Sequence, residues 1–117
     1  THPYLSGAIA SGLEALRKSV DGPCLAVVEA AVYFLLPPFG DVDLTVCVTA
    51  SEDIRLGRLT GPGRLDREAA ASRIRAQRPL LRDWEGSDIV LRNESGIDEL
   101  RAAIRDLHHD RIRRERP

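Results

Sequence analysis

Three short apolar runs, separated by segments with helical patterning, constrain the fold of this chain more than any other feature. The runs are 24–28 (Cys-Leu-Ala-Val-Val), 44–48 (Leu-Thr-Val-Cys-Val) and 89–91 (Ile-Val-Leu). Apolar runs of this length are typical of strands buried on both faces, as in parallel sheets. We therefore predict an α/β fold with a small parallel sheet and helices on both sides, a three-layer α/β/α arrangement.

The segments around these runs carry helix signals. Pro3 is suited to open a helix, and apolar residues then recur at helical spacing as far as Val20, before the turn 21–23 (Asp-Gly-Pro). Ser51 is a suitable N-cap for the helix after the second apolar run, which the sequence 61–63 (Gly-Pro-Gly) ends.

Two further helices complete the predicted order. Asp66 caps a helix from Arg67 to about Arg78, and Ser95 caps the last one, with Asp98 in a capping-box-like position. With one more helix between the first and second apolar runs, the predicted order is helix, strand, helix, strand, helix, helix, strand, helix.

Charge and cysteine content narrow the function classes. The 17 positive and 18 negative side chains give a net charge of -1, which favours neither a nucleic-acid nor a membrane partner. No apolar run approaches the roughly 20 residues that span a bilayer, and residues 1–19 do not show the basic start and apolar core of a signal peptide. Cys24 and Cys47 lie in apolar runs, so we predict buried thiols rather than a disulfide or a metal site, and a cytoplasmic location.

Two features of the sequence predict that the chain is part of a longer protein. The sequence contains no Met and begins at Thr1. A three-stranded parallel sheet also leaves edges that nothing in the sequence covers. We expect that the chain is processed or is a piece of a longer protein, with further strands upstream.

Phosphate-binding signals are mixed. The sequence has neither Gly-x-x-x-x-Gly-Lys-Ser/Thr nor Gly-x-Gly-x-x-Gly, so it has no recognisable phosphate cradle of its own. Its middle is rich in Arg, which binds phosphate through a planar fork; this group is Arg55, Arg58, Arg64, Arg67, Arg73, Arg75, Arg78 and Arg82. Arg also outnumbers Lys sixteen to one over the whole chain, so solvated helix faces and salt pairing with nearby carboxylates remain the alternative. The pair His108 and His109 is expected to be solvated rather than catalytic.

Several weak motifs follow one another along the chain: Thr1-His2-Pro3 before a helix, Ser51 to Arg58 after a strand, Ile74 to Gln77 at the end of a helix, and Ser87-Asp88 followed by Asn93-Glu94-Ser95-Gly96. Their order resembles that of the dephospho-CoA kinase family over nearly the whole chain. The resemblance implies part of a P-loop kinase fold with a helical lid at about 58–83. It also implies transfer of the ATP γ-phosphate, with magnesium, to the 3′-hydroxyl of dephospho-CoA, the last step of coenzyme A biosynthesis.

Site residues follow from the resemblance by position. Arg58 and Arg64 would contact nucleotide phosphates near the lid, and Gln77 would help to hold the lid helix. Asn93 and the loop to Gly96 would lie near the adenine of ATP. On the acceptor side the resemblance places His2. Glu29 replaces part of a family segment there, either in a polar role at a strand end or as the cap of the next helix.

The resemblance also predicts what this chain lacks. In the family, the phosphate-binding loop, the acidic residue that serves the acceptor hydroxyl and the metal ligands belong to the N-terminal part, so we expect no catalytic or metal-binding residue here and no turnover by the chain alone. Two alternatives remain open. One is a non-catalytic module, derived from a P-loop kinase, that binds a nucleotide or a partner protein; the other is a different P-loop small-molecule kinase.

Overall fold

The computed structural model describes residues 2–79, 84 and 86–112, and the chain divides into two compact units, Thr1–Asp43 and Leu44–Pro117. Each unit is described by itself.

The first unit is a long helix followed by irregular chain. Helix α1 (His2–Ser19) confirms the helix predicted after Pro3. Its Ser6 is buried and donates a hydrogen bond of 2.7 Å from Oγ to the carbonyl oxygen of Pro37. A single 3-10 turn (Tyr33–Leu35) lies nearby in the chain, and the Tyr33 ring packs edge-on against Phe34 and Phe39. The aromatic turn and the Ser6 hydrogen bond organise the second half of this unit.

The strand predicted at 24–28 is wrong, because these residues are irregular in the structure. Leu25 and Val27 are 49% and 81% exposed, and Cys24 is exposed rather than buried. The helix predicted after this run is reduced to the 3-10 turn. A strand needs a neighbour that pairs its backbone N–H and C=O groups, and no other strand is described within this unit.

The second unit contains the sheet. Strands β1 (Val46–Thr49) and β2 (Ile89–Arg92) pair in parallel, with Val46 opposite Ile89 and Thr49 opposite Arg92. The α/β class and the small parallel sheet are therefore confirmed, with two strands in the described part of the chain rather than three.

The described residues of this unit also form three α-helices and a short helical extension. Helix α2 (Glu52–Leu59) follows β1, and α3 (Arg67–Gln77) follows a turn. Helix α4 (Ile97–Leu107) follows β2 and continues into one π-helical turn (His108–Ile112). The structure thus has the predicted order of elements from residue 44 onward.

The helix starts show which capping signals hold. Ser51 Oγ accepts a hydrogen bond of 3.4 Å from the Ile54 N–H, and the Asp66 carboxylate accepts one of 2.8 Å from the Ala69 N–H, as predicted. The predicted Ser95 cap is wrong, because α4 begins after Gly96. The Glu99 side chain folds over Gly96, where an added Cβ would lie 2.7 Å from Glu99 Oε2. The absence of a side chain at position 96 leaves room for that arrangement.

The best-buried apolar side chains of this unit lie on α3, which packs against α2. Ala70 is fully buried and Ile74 is 5% exposed. The apolar stripe predicted for α4 is only partly covered, since Ile97 and Ile104 are 63% and 47% exposed. Among the described residues, none of the helices combines the length and apolar composition that crossing a bilayer requires.

Candidate functional site

The carboxyl ends of the two parallel strands meet at one edge of the sheet, which we call the carboxyl edge (residues 49–51 and 93–96). The Asn93 N–H donates a hydrogen bond of 2.7 Å to the Thr49 carbonyl oxygen. Two residues after Thr49 and one after Asn93, the Ser51 N–H donates a bond of 2.9 Å to Glu94 Oε1. Parallel α/β folds bind their ligands beyond the carboxyl ends of their strands. Asn93 and Gly96, the residues assigned to the adenine side by resemblance, lie on this edge.

The opposite, amino end of the strand pair is closed by Asp88 and Thr45. Asp88 Oδ2 accepts hydrogen bonds from the Thr45 N–H at 2.8 Å and from the Thr45 hydroxyl at 2.9 Å. The Asp88 N–H in turn donates to Thr45 Oγ1 at 3.0 Å. The bonds from the Thr45 backbone and hydroxyl, together with the charge of Arg111, hold the pKa of Asp88 below its usual value. Asp88 therefore fixes the strand register and does not point to the carboxyl edge.

The turn between α2 and α3 brings Arg58 and Arg64 together. Arg64 Nη1 donates a hydrogen bond of 2.5 Å to the Arg58 carbonyl oxygen, and the Leu65 N–H bonds the Leu59 carbonyl oxygen at 3.1 Å. Gly63 sits at a φ of 72°, which side-chain-bearing residues rarely adopt. Arg64 thus stabilises this turn, whereas the exposed Arg58 makes no salt bridge within the described part of the chain.

An ion-pair network joins the start of α2 to the end of α3. Arg78 donates two hydrogen bonds to the Glu52 carboxylate, from Nε to Oε1 and from Nη2 to Oε2. This pairing lowers the pKa of Glu52 and raises that of Arg78, chiefly through the hydrogen bonds. Arg55 Nη2 lies 3.9 Å from Glu52 Oε1. These two helices also line a cleft of about 130 Å³ that includes Leu56 and Ile74.

In the described part of the chain, three of the eight arginines of the Arg-rich middle, Arg55, Arg75 and Arg78, form salt pairs. Arg75 Nη2 adds an ion pair of 3.2 Å with Glu68 Oε1 on the same helix. Gln77 ends α3 with its side chain exposed. Arg82 and positions 80–83 of the predicted lid lie outside the described residues.

The acceptor-side candidates belong to the other unit. His2 begins α1, and its side chain is exposed. Glu29 is also exposed and lies in irregular chain. The structure therefore has neither the strand end nor the α-helix start at which Glu29 was predicted to act. The same unit contains a cavity of about 250 Å³ beside Tyr33, Pro38 and Phe39.

No group of three or more His, Cys, Asp or Glu side chains among the described residues is arranged to hold a metal ion. Burial raises the pKa of the half-buried Cys47 thiol, and both cysteines are unpaired. His108 and His109 are exposed at the end of α4, as predicted.

Sequence reasoning missed the roles of Thr45 and Glu94. For Thr45 a signal existed, since Thr45 and Asp88 each stand just before a paired strand segment, where a parallel register places them side by side. Glu94 had no comparable signal, because a glutamate after a strand can face solvent or either neighbour.

Comparison with curated proteins gives consistent relatives. The chain is 30% identical over 107 residues to the dephospho-CoA kinase of Chlorobaculum tepidum, which covers 92% of this chain and 50% of that protein. It is 30% identical over 104 residues to the dephospho-CoA kinase of Syntrophotalea carbinolica, covering 89% of this chain and 48% of the relative. The dephospho-CoA kinase of Moorella thermoacetica is 30% identical over 105 residues, 90% of this chain and 49% of the relative.

These similarities establish the resemblance on which the site assignments rest. The matched region is the C-terminal half of the relatives, and the chain spans about half of their length. No family model matches the sequence, and no solved structure matches it. The helices and the two-stranded parallel sheet are consistent with part of a P-loop kinase fold.

Proposed function

We propose that this chain corresponds to the C-terminal part of a dephospho-CoA kinase and supplies the nucleotide-binding side of that enzyme. The observation that carries the proposal is the position of residues 93–96, which follow β2 at the carboxyl edge beside the end of β1. Similarity to dephospho-CoA kinases over about nine-tenths of the chain supports the assignment of a kinase-like role to this edge.

The proposed ligand is ATP, and the chain offers different groups to its two ends. Asn93 has an amide side chain that can both donate to and accept from an adenine edge. Arg58 offers an exposed guanidinium for the phosphates, with Arg64 holding the turn that follows. In phosphoryl transfer, such groups act by positioning the phosphates and neutralising their charge.

Dephospho-CoA is the proposed acceptor of the whole enzyme, and transfer to its 3′-hydroxyl in coenzyme A synthesis is the proposed reaction. The 117-residue sequence contains no phosphate-cradle motif, so we expect the chain alone to bind nucleotide without turnover. The unpaired cysteines favour the cytoplasm as the compartment. Measurement of ADP formation with dephospho-CoA and magnesium tests this expectation, which robust turnover by the chain would contradict.

A binding experiment separates the two ends of the proposed site. Arg58→Ala should weaken ATP binding about tenfold, the effect of losing one charge-assisted contact, and leave adenosine binding unchanged. Asn93→Ala should weaken the binding of both ATP and adenosine. Arg73→Ala, the matched change of an exposed arginine on the neighbouring helix α3, should alter the binding of neither ligand. Equal effects of Arg58→Ala and Arg73→Ala would reduce the role of Arg58 to general charge.

A non-catalytic binding module is the second candidate, because the same sequence carries the carboxyl-edge loop without a phosphate cradle. Thermal unfolding with and without ATP tests both candidates at the level of binding. If ATP raises the melting temperature and a segment bearing the phosphate cradle restores transfer to dephospho-CoA, the kinase proposal holds. If ATP binds but the added segment does not restore transfer, the binding module is favoured.

A further inference from the structure

We propose that Glu94 is a positioning residue that couples the loop 93–96 to the first turn of α2. The inference rests on the proposed function, because its consequence concerns a nucleotide at the carboxyl edge. Glu94 Oε1 accepts the hydrogen bond of 2.9 Å from the Ser51 N–H, although 43 residues separate the two. This side-chain bond lies beyond the last backbone bond of the strand pair, in which the Asn93 N–H donates to Thr49.

Ser51 connects this contact to the first turn of α2. Its hydroxyl accepts from the Ile54 N–H, and its carbonyl oxygen accepts from the Arg55 N–H at 3.0 Å. Ser51 is therefore the residue from which α2 starts, and Glu94 fixes the backbone of that residue. A carboxylate at this position also complements the partial positive charge of the helix N-terminus.

The other end of α2 leads to the proposed phosphate contact. Arg58 lies in the last turn of α2, and its carbonyl oxygen holds the Arg64 guanidinium. A short helix transmits a shift at its first turn as a rigid element. Movement of the loop 93–96, on which the base is proposed to lie, is thereby passed through Glu94 and Ser51 to the turn that carries Arg58.

The side chain of Glu94 provides this connection and can be altered without removing a backbone group. Glu94→Gln keeps an oxygen acceptor for the Ser51 N–H, whereas Glu94→Ala removes it. Both variants retain the Asn93–Thr49 bond, so exchange of the Asn93 amide reports whether the strand pair is intact.

Hydrogen exchange of the ligand-free chain tests the connection itself. Glu94→Ala should raise the exchange rate of the Ser51 amide about tenfold, while that of the Asn93 amide stays unchanged and Glu94→Gln exchanges nearly as wild type. An unchanged Ser51 rate in Glu94→Ala would overturn the proposal.

Adenosine, which has no phosphates, tests the transmission. In the wild type and Glu94→Gln it should slow exchange at the amides of residues 58–61 and 63–65, and in Glu94→Ala it should bind without doing so. Equal protection in all three proteins would overturn the coupling. Equilibrium dialysis of adenosine distinguishes failure of the coupling from failure of the proposed base site. If adenosine binds to the wild type without protecting the amides between residues 58 and 65, the coupling alone is refuted. If adenosine does not bind, the proposed base site is refuted, and the coupling with it.

Discussion

The carboxylate of Asp88 accepts two hydrogen bonds from Thr45 and thereby joins the amino ends of the two paired strands. Since Thr45 Oγ1 also accepts from the Asp88 N–H, each residue donates to and accepts from the other. A register slip of one residue would separate these groups and turn every strand side chain to the opposite face. The pair therefore selects one register for a sheet whose two strands are only four residues long.

Stability should fall in acid because of this pair. The pKa of Asp88 in the folded chain is below its usual value of 3.8, so its contribution is fully present above that value. It is lost as the pH falls through the lower, folded value, where the carboxylate becomes protonated. Thermal melts between pH 7 and pH 2 should show this loss in the wild type and a smaller loss in Asp88→Asn.

The control for that experiment is Asp106→Asn, which alters an exposed carboxylate on α4. It should retain the acid-dependent loss of the wild type. If Asp88→Asn and the wild type have parallel melting profiles across the whole pH range, the register pair contributes nothing to the pH dependence.

The two hydrogen bonds from the Arg78 guanidinium to the Glu52 carboxylate should hold α3 against α2. Removal of either charge by Arg78→Gln or Glu52→Gln should lower the melting temperature, and the double variant should lose less than the sum of the two. Both side chains are substantially exposed, so high salt should reduce the effect.

The single, same-helix contact of Arg75 with Glu68 is the matched comparison, because it joins no two elements. The corresponding Arg75→Gln and Glu68→Gln cycle should show a smaller coupling. If the losses of melting temperature at Glu52 and Arg78 are additive, the pair does not connect the two helices.

Ile74 should be the most costly apolar truncation among the exposed and buried isoleucines of this unit. It is 5% exposed, so Ile74→Ala should lower the free energy of unfolding by about 2–5 kcal/mol. Ile97→Ala, at a position 63% exposed, should cost about 0.5 kcal/mol. Urea unfolding measures both, and similar costs would show that the α2–α3 contact is not the stable part of the unit.

The sequence predicted those elements whose signals are local. Ser51 and Asp66 each satisfy a backbone N–H three residues ahead, so the start of α2 and that of α3 needed no information from elsewhere in the chain. The strand around Val46 was also recoverable, because its partner has the same apolar pattern and follows a helical segment.

The errors arose where the outcome depends on distant residues. The run after Pro23 has the composition of a strand, but pairing requires a neighbour that a local pattern cannot reveal. Ser95 and Gly96 compete for one cap position, and the folded-back Glu99 side chain occupies the space beside Gly96. The Ser51–Glu94 bond spans 43 residues, so no spacing rule indicates it.

Two glycines, Gly57 in α2 and Gly63 in the turn that follows, should respond in opposite directions to the same substitution. Gly57 lies within α2, and an added Cβ there meets nothing within 4 Å, so Gly57→Ala should stabilise the chain by about 1 kcal/mol through better helix propensity. Gly63 has equal space, but its φ of 72° strains any side-chain-bearing residue. Gly63→Ala should therefore destabilise the chain by about 1 kcal/mol or more. Urea unfolding of both variants separates backbone conformation from packing, and stabilisation by Gly63→Ala would mean that the turn holding Arg64 against Arg58 does not require a left-handed residue.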